Sequence, residues 1–134
     1  MEKSLTIHAA TFADARPLLA RAALRGDTTA GAASLDELCA GGQVFAVHDG
    51  GGRPVMAYVL AVRQHEAARV CWVQAAAGSA PGVDLTRELL PRIERQAKEQ
   101  GAGQVAITTR RRGLMKKLRA QGYTVTGVTL RKAT

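Results

Sequence analysis

Residues 79–90 read SAPGVDLTRELL, a loop with one glycine that runs into a helix opening at Asp84. The first amides of a helix are unpaired and carry the positive end of its dipole, so a turn of this kind can hold a phosphate. Aspartate is also a leading N-cap residue, and its own carboxylate accepts hydrogen bonds from those amides. The turn therefore has two opposed readings, an anion cradle and a helix that caps itself through Asp84. Capping is the more general use of an aspartate there.

Charge is the second chemical signal. Residues 1–100 hold eleven Lys and Arg against eleven Asp and Glu, so the whole formal charge of +8 falls in the last 34 residues. Those residues contain Arg110, Arg111, Arg112, Lys116, Lys117, Arg119, Arg131 and Lys132 and no acid. A block of this kind over residues 110–132 can attract nucleic acid, a phosphorylated cofactor or an acidic protein, or serve only as a solvated face. It lacks the interleaved aromatics of a single-strand binding platform.

Other chemistry is sparse. His8, His48 and His65 have no metal-ligand spacing, and no metal site is expected. Cys39 and Cys71 form no CxxC or CxxH pair and read as buried thiols in a reducing cytoplasm. Glu66, beside His65 in a turn, becomes a base only if that turn reaches a cleft. Trp72 reads as core on a strand.

The chain has 134 residues, which fits one domain. Its longest apolar stretch, residues 54–62, falls well short of the roughly 18 residues that span a membrane. The first fifteen residues lack the apolar segment of a signal peptide, so a soluble cytoplasmic domain is expected.

The elements that position these residues follow from periodicity. LTIHA (5–9) alternates as a strand, and Thr11 caps a helix through about Arg25. Residues 26–33 read as a flexible connection, and Ser34 with Glu37 forms a capping box for a short helix ending at Gly41. Strands follow over 43–49 and 54–64, joined by the hairpin sequence GGGR, and a third spans 68–76. Leu85, Leu89, Ile93 and Ala97 recur every four residues in a helix from Leu85 to Gln100 that Gly101 ends, and Pro91 is expected to kink it. A strand over 104–109, a basic amphipathic helix over 113–121 and a final strand over 123–132 complete the order. The sum is a single α/β domain over residues 1–134, ordered β-α-α-β-β-β-α-β-α-β, with one mixed sheet and helices on both faces.

That order, carried by IHAATFADARPLLARA, QVFAVHDGGGRPVMAYVLAV, RELLPRIERQAKEQGAGQVAITT and KKLRAQGYTVTG, resembles the GNAT acetyltransferases over nearly the whole chain. The resemblance implies acetyl-CoA in a cleft where two parallel strands splay, with the pantetheine against the strand that ends near Gln74 and Ala76. It places the pyrophosphate at the next helix, on Gly82, Val83, Asp84, Leu85 and Thr86, with Arg111 nearby. The family's phosphate turn, Q/R-x-x-G-x-G/A, falls on residues 81–86, where Pro81, Asp84 and Thr86 replace its defining residues and only Gly82 matches a frequent glycine. The family's tyrosine acid falls on Leu118 and its asparagine on Arg111, so the catalytic residues stay unassigned. A thiol ionises near pH ~8.5, so its thiolate leaves without much help.

Two functions follow. The first is an acetyl-CoA-dependent N-acetyltransferase acting on an amine. The second is a catalytically inactive GNAT-fold binding or assembly protein that uses its basic C-terminal region on nucleic acid or an acidic partner. Only twelve residues follow Gly122, where the family places two strands. A homodimer could supply the missing strand through an exposed sheet edge.

Overall fold

A computed structural model describes residues 4–26, 28, 29 and 31–134. Nine elements follow in chain order: β1 (Thr6–Ala10), α1 (Phe12–Gly26), α2 (Leu35–Cys39), β2 (Gln43–His48), β3 (Pro54–Gln64), β4 (Arg69–Gly78), α3 (Leu85–Glu99), β5 (Gln104–Ile107) and α4 (Arg112–Ala120). The strands form one sheet in sequential order β1-β2-β3-β4-β5. The first four pair antiparallel, while β5 returns through the α3 crossover and lies parallel to β4.

Local chemistry explains the element ends. Thr11 Oγ1 accepts from the Asp14 amide at 3.1 Å and Ser34 Oγ from the Glu37 amide at 3.1 Å, opening α1 and α2. In the β2–β3 turn, Asp49 Oδ1 accepts from the amides of Gly51 and Arg53 at 3.0 and 2.9 Å, the self-bonding that places aspartate in turns. At the end of α3, Gly101 takes a φ of +76°, and the Gly101 and Ala102 amides donate back to Lys98 and Ala97. That is the left-handed helix stop expected of glycine.

Alternation along β3 divides the core into two layers. Tyr58 and Leu60 face α3 and pack with Cys71, Leu89 and Ile93. Ala57 and Val59 face the other way and pack with Ala15, Leu19 and Cys39 of α1 and α2. Burying the sheet on both faces is what makes β3 apolar along most of its length. All four residues of the α3 repeat, Leu85, Leu89, Ile93 and Ala97, are buried. The helix runs on through Pro91 to Glu99. The α4 helix packs against α3, with Leu118 buried between polar neighbours.

Three expectations change. Residues 123–132 form no strand; the chain has no regular structure past Gly122 and is exposed from residue 124 onward. Its composition suits a strand, but a strand exists only where a neighbour supplies a ladder, and none of the described residues does. The strand expected to Thr109 ends at Ile107. Of the expected connection over 26–33, Gly26 belongs to α1, and residues 27 and 30 lie outside the described residues. Among the described residues, no helix is long and apolar enough to cross a membrane.

Candidate active site

The site begins with a mismatch in strand length. β4 pairs with β3 as far as Met56 and Gly78, yet its parallel ladder with β5 covers only Val70 to Val73, ending at the pair Val73 and Ile107. From residue 74 to residue 78 the β5-facing edge of β4 is therefore open. A register shift falls at the same place: Leu60 faces Val73 and Val59 faces Ala75, which leaves Gln74 unopposed as a bulge. Bulges bend a strand and sharpen its twist, and this one falls where β4 outruns β5, so the gap in the ladder is the candidate cleft.

The open edge is lined by small residues. Gln74 is the bulge residue, and Ala75, Ala76 and Ala77 follow it, all half-buried. At the end of the strand, Gly78 is required sterically, because a Cβ there would overlap the Val55 carbonyl and the Met56 Cα. Backbone in this stretch stays within reach of a thin ligand.

The turn that follows delivers the start of α3 to the same end of the sheet. Ser79 donates its amide to the Val55 carbonyl at 3.0 Å, and Val83 donates to Ala80 at 3.1 Å across a small bridge. Gly82 between them sits at φ +70°, in the left-handed region where a side chain is strained. Val83 and Leu85 turn their side chains into the core layer under α3.

Asp84 is the N-cap. Its backbone is extended, and Oδ1 accepts from the Arg87 amide at 3.3 Å. The same oxygen lies 3.4 Å from Lys117 Nζ on α4. The carboxyl is held below the usual carboxylate range chiefly by the Arg87 amide; desolvation opposes this, and Lys117 adds to the lowering. The amides of Leu85 and Thr86 have no acceptor among the described residues, so the helix end is capped only in part.

The structure thus brings Gln74, Ala76, Gly82, Val83, Asp84, Leu85 and Thr86 to one end of the sheet. Arg111 precedes α4, where its amide donates to Thr109 Oγ1 at 3.0 Å, and it makes no hydrogen bond or ion pair with the turn. The cation that reaches Asp84 is Lys117, which sequence reasoning had not singled out. Its signal was indirect: Lys117 adjoins the core residue Leu118, so it flanks the face by which α4 meets α3.

Other candidates fall away from the cleft. Leu118 is 6% exposed and belongs to the core. Glu66 lies in the β3–β4 turn, at the opposite end of β4 from the open edge. His8 and His48 meet edge to face, with ring centroids 5.4 Å apart on β1 and β2, and no group of three or more metal-ligating side chains occurs among the described residues. Trp72 is half-buried on β4, two residues before the bulge, and its indole nitrogen has no hydrogen-bond partner among the described residues. A hollow of about 750 Å³ beside Phe12, Cys39 and Val44 lies on the β1–β2 side, two strands from β4.

Comparison with known proteins agrees at the level of the fold. No protein-family model matches the sequence, and no curated protein is similar to it. Solved structures do match. A Pyrococcus furiosus protein assigned as an acetyl transferase superposes with a TM-score of 0.77 at 14% identity, covering 99% of this chain and 100% of that one. A transcriptional regulator from Bacillus halodurans C-125 gives 0.70 at 14% identity, over 98% and 100% of the two chains. An aminoglycoside N-acetyltransferase solved in complex with CoA gives 0.68 at 14% identity, over 99% and 95%. The chain has a GNAT-like fold, shared with these solved acetyltransferases.

Proposed function

We propose that the chain is an acetyl-CoA-dependent N-acetyltransferase acting on an amine. The observation that carries this reading is the early end of the β4–β5 ladder at Val73 and Ile107, with β4 running on alone to Gly78 beside the start of α3. Bound there, acetyl-CoA would supply a thioester carbonyl for attack by the acceptor amine.

The residues fit the cofactor in part. Unpaired backbone groups of residues 74–78 offer donors and acceptors to the amides of pantetheine, and the small side chains of Ala75 and Ala77 admit it closely. The free amides of Leu85 and Thr86 and the ammonium of Lys117 would hold a pyrophosphate at the helix start. Asp84 opposes it: its carboxylate occupies the Arg87 amide and repels an anion. Lys117 offsets that charge. With a buried leucine at position 118, no tyrosine acid stands there, so the departing thiolate relies on its own acidity.

The neighbouring acetyltransferases, one of them holding CoA, support this chemistry. Free thiols at Cys39 and Cys71, both buried and both raised above the usual thiol range by desolvation, agree with a reducing cytoplasm.

Calorimetric titration with acetyl-CoA and CoA tests the reading, with fluorescence of Trp72, the sole tryptophan, as a second signal beside the cleft. Saturable heat and a fluorescence change are expected, followed by thiol release in the presence of an amine panel. Silence by both signals in the wild type and in Asp84→Gly would overturn it.

A further inference from the structure

One charged feature plays no part in the cleft. The eight cations that follow residue 100 stand without an acid, and α4 carries the continuous part of that block. Arg112, Lys116 and Arg119 are spaced by four and three residues, so they fall within about 60° of one another around the helix and span about 10 Å along it. All three are exposed, and among the described residues none of their side chains makes a hydrogen bond or ion pair. Lys117, which meets Asp84, lies about 100° or more around the helix from each of them. The stripe and the cofactor turn therefore address different sides of α4. Arg131, further along, is already engaged and donates to the Thr28 carbonyl at 3.3 Å.

Helix stability does not account for the stripe. Arg112 with Lys116, and Lys116 with Arg119, are like-charged neighbours on one face, and such pairs weaken a helix. Arg110, Arg111 and Arg112 also crowd the positive end of the helix dipole, where the first turn has no acid and Arg111 gives no side-chain cap. Leu118 anchors α4 in the core, and no acid of the last 34 residues offsets the repulsion. Local choices that oppose their own element are expected at functional surfaces.

We propose that α4 docks on the phosphate backbone of a duplex nucleic acid through Arg112, Lys116 and Arg119. A duplex carries one negative charge per about 1.7 Å of its axis, so a stripe of about 10 Å faces about six charges. That is enough to pair all three cations and to relieve their mutual repulsion. The planar fork of arginine suits phosphate oxygens, and contacts of this kind position a protein without reading bases. Other polyanions fit the stripe less well. An acidic protein partner would need an apolar or aromatic centre to its interface, whereas Leu114, Met115 and Leu118, the large apolar side chains of α4, are half-buried or buried. A single strand would need stacking platforms, and α4 has no aromatic residue. A membrane surface would need the apolar face of α4, which packs on α3.

Fluorescence anisotropy of a labelled DNA duplex with the full chain tests the proposal, and the result stands whether or not acetyl-CoA binds. Three phosphate contacts give a slope of about −2.7 in log affinity against log salt, a loss of roughly 40-fold between about 50 and 200 mM. Arg112→Gln, Lys116→Gln and Arg119→Gln should each flatten that slope by about 0.9. The triple variant should lose duplex binding while keeping its circular dichroism and its affinity for acetyl-CoA, since all three positions are exposed and lie off the cofactor turn. A matched triple variant, Arg21→Gln with Arg53→Gln and Arg63→Gln, removes the same charge from exposed positions elsewhere and should still bind the duplex. Absence of binding at the lower salt, a slope near zero, or equal loss in the matched variant overturns the proposal. Displacement of the duplex by acetyl-CoA also overturns it, by assigning the stripe to the cofactor site. So does tighter binding of polyglutamate, single-stranded DNA or anionic vesicles than of the duplex at equal charge concentration.

Discussion

Lys117 Nζ stands 3.4 Å from Asp84 Oδ1 and so ties the last turn of α4 to the N-cap of α3. This contact places a cation and an anion together at the mouth of the splay. Both side chains are largely solvated, so the pair adds little to stability, and its importance is for what binds beside it. Removal of the anion should therefore favour an incoming phosphate. In calorimetry, Asp84→Asn is expected to bind acetyl-CoA roughly fivefold or more tightly than the wild type, and Lys117→Ala to bind it more weakly by a similar factor. Equal affinities in all three proteins would remove the turn from the cofactor site.

The same carboxylate gives a pH signature. Because its folded pKa is lowered, Asp84 contributes stability that is complete above the ordinary carboxylate range and is lost as pH falls through the folded value. The melting temperature of the wild type should exceed that of Asp84→Asn at neutral pH, and the two should converge on acidification. A gap that stays constant into acid would show that the cap contributes nothing as an anion.

Tyr58 acts at the other end of the pH scale. It is fully buried, stacks on Phe45 with ring centroids 5.3 Å apart, and donates to Gln96 Oε1 at 2.7 Å, joining β3 to α3. Desolvation pushes its pKa from 10.0 up to about 12, against smaller lowering effects of Gln96 and Arg92. A raised folded pKa means that its stabilisation is intact below pH 10.0 and is lost as pH rises through about 12. Tyr58→Phe should cost about 0.5–1.5 kcal/mol at neutral pH for the lost hydrogen bond. It should also flatten the alkaline fall in stability, measured by urea unfolding across that window.

Much of this fold was legible from local pattern. The four-residue spacing of Leu85, Leu89, Ile93 and Ala97 marks a buried face, and all four are buried. Thr11, Ser34 and Asp84 each cap the helix they precede, because the interaction is confined to a few neighbouring residues. The cleft was less visible. The Gln74 bulge arises from register with β3, and nothing in the residues near Gln74 announces it. Lys117 reaches Asp84 across 33 positions through the packing of α4 on α3. The tail reads as a strand from its own composition, yet a strand also needs a partner, and composition says nothing of that.

Gly78 should be intolerant of any side chain. The atoms that a Cβ would meet are the Val55 carbonyl and the Met56 backbone, and neither can swing aside as a side chain could. Gly78→Ala is expected to cost about 1–3 kcal/mol, the usual range for overpacking. Because the strain falls at the open end of β4, acetyl-CoA affinity should drop with it. A variant of full stability would mean that the end of β4 yields easily.

Leu118 separates a packing role from a chemical one, since it occupies the position where related folds carry a tyrosine acid. At 6% exposure its side chain is held in the core, and its carbonyl anchors the Tyr123 amide. Leu118→Ala removes buried methyl groups and should destabilise the fold by about 2–5 kcal/mol. If leaving-group protonation depends on no side chain here, the folded fraction of Leu118→Ala should transfer acetyl groups at the wild-type rate, with the same pH profile. Leu118→Tyr adds a ring and a hydroxyl to a filled layer, so it should lose stability and gain no rate. A rate gain in Leu118→Tyr, with a new alkaline limb in its pH profile, would show instead that the side chain faces the departing thiolate and that the missing acid had limited turnover.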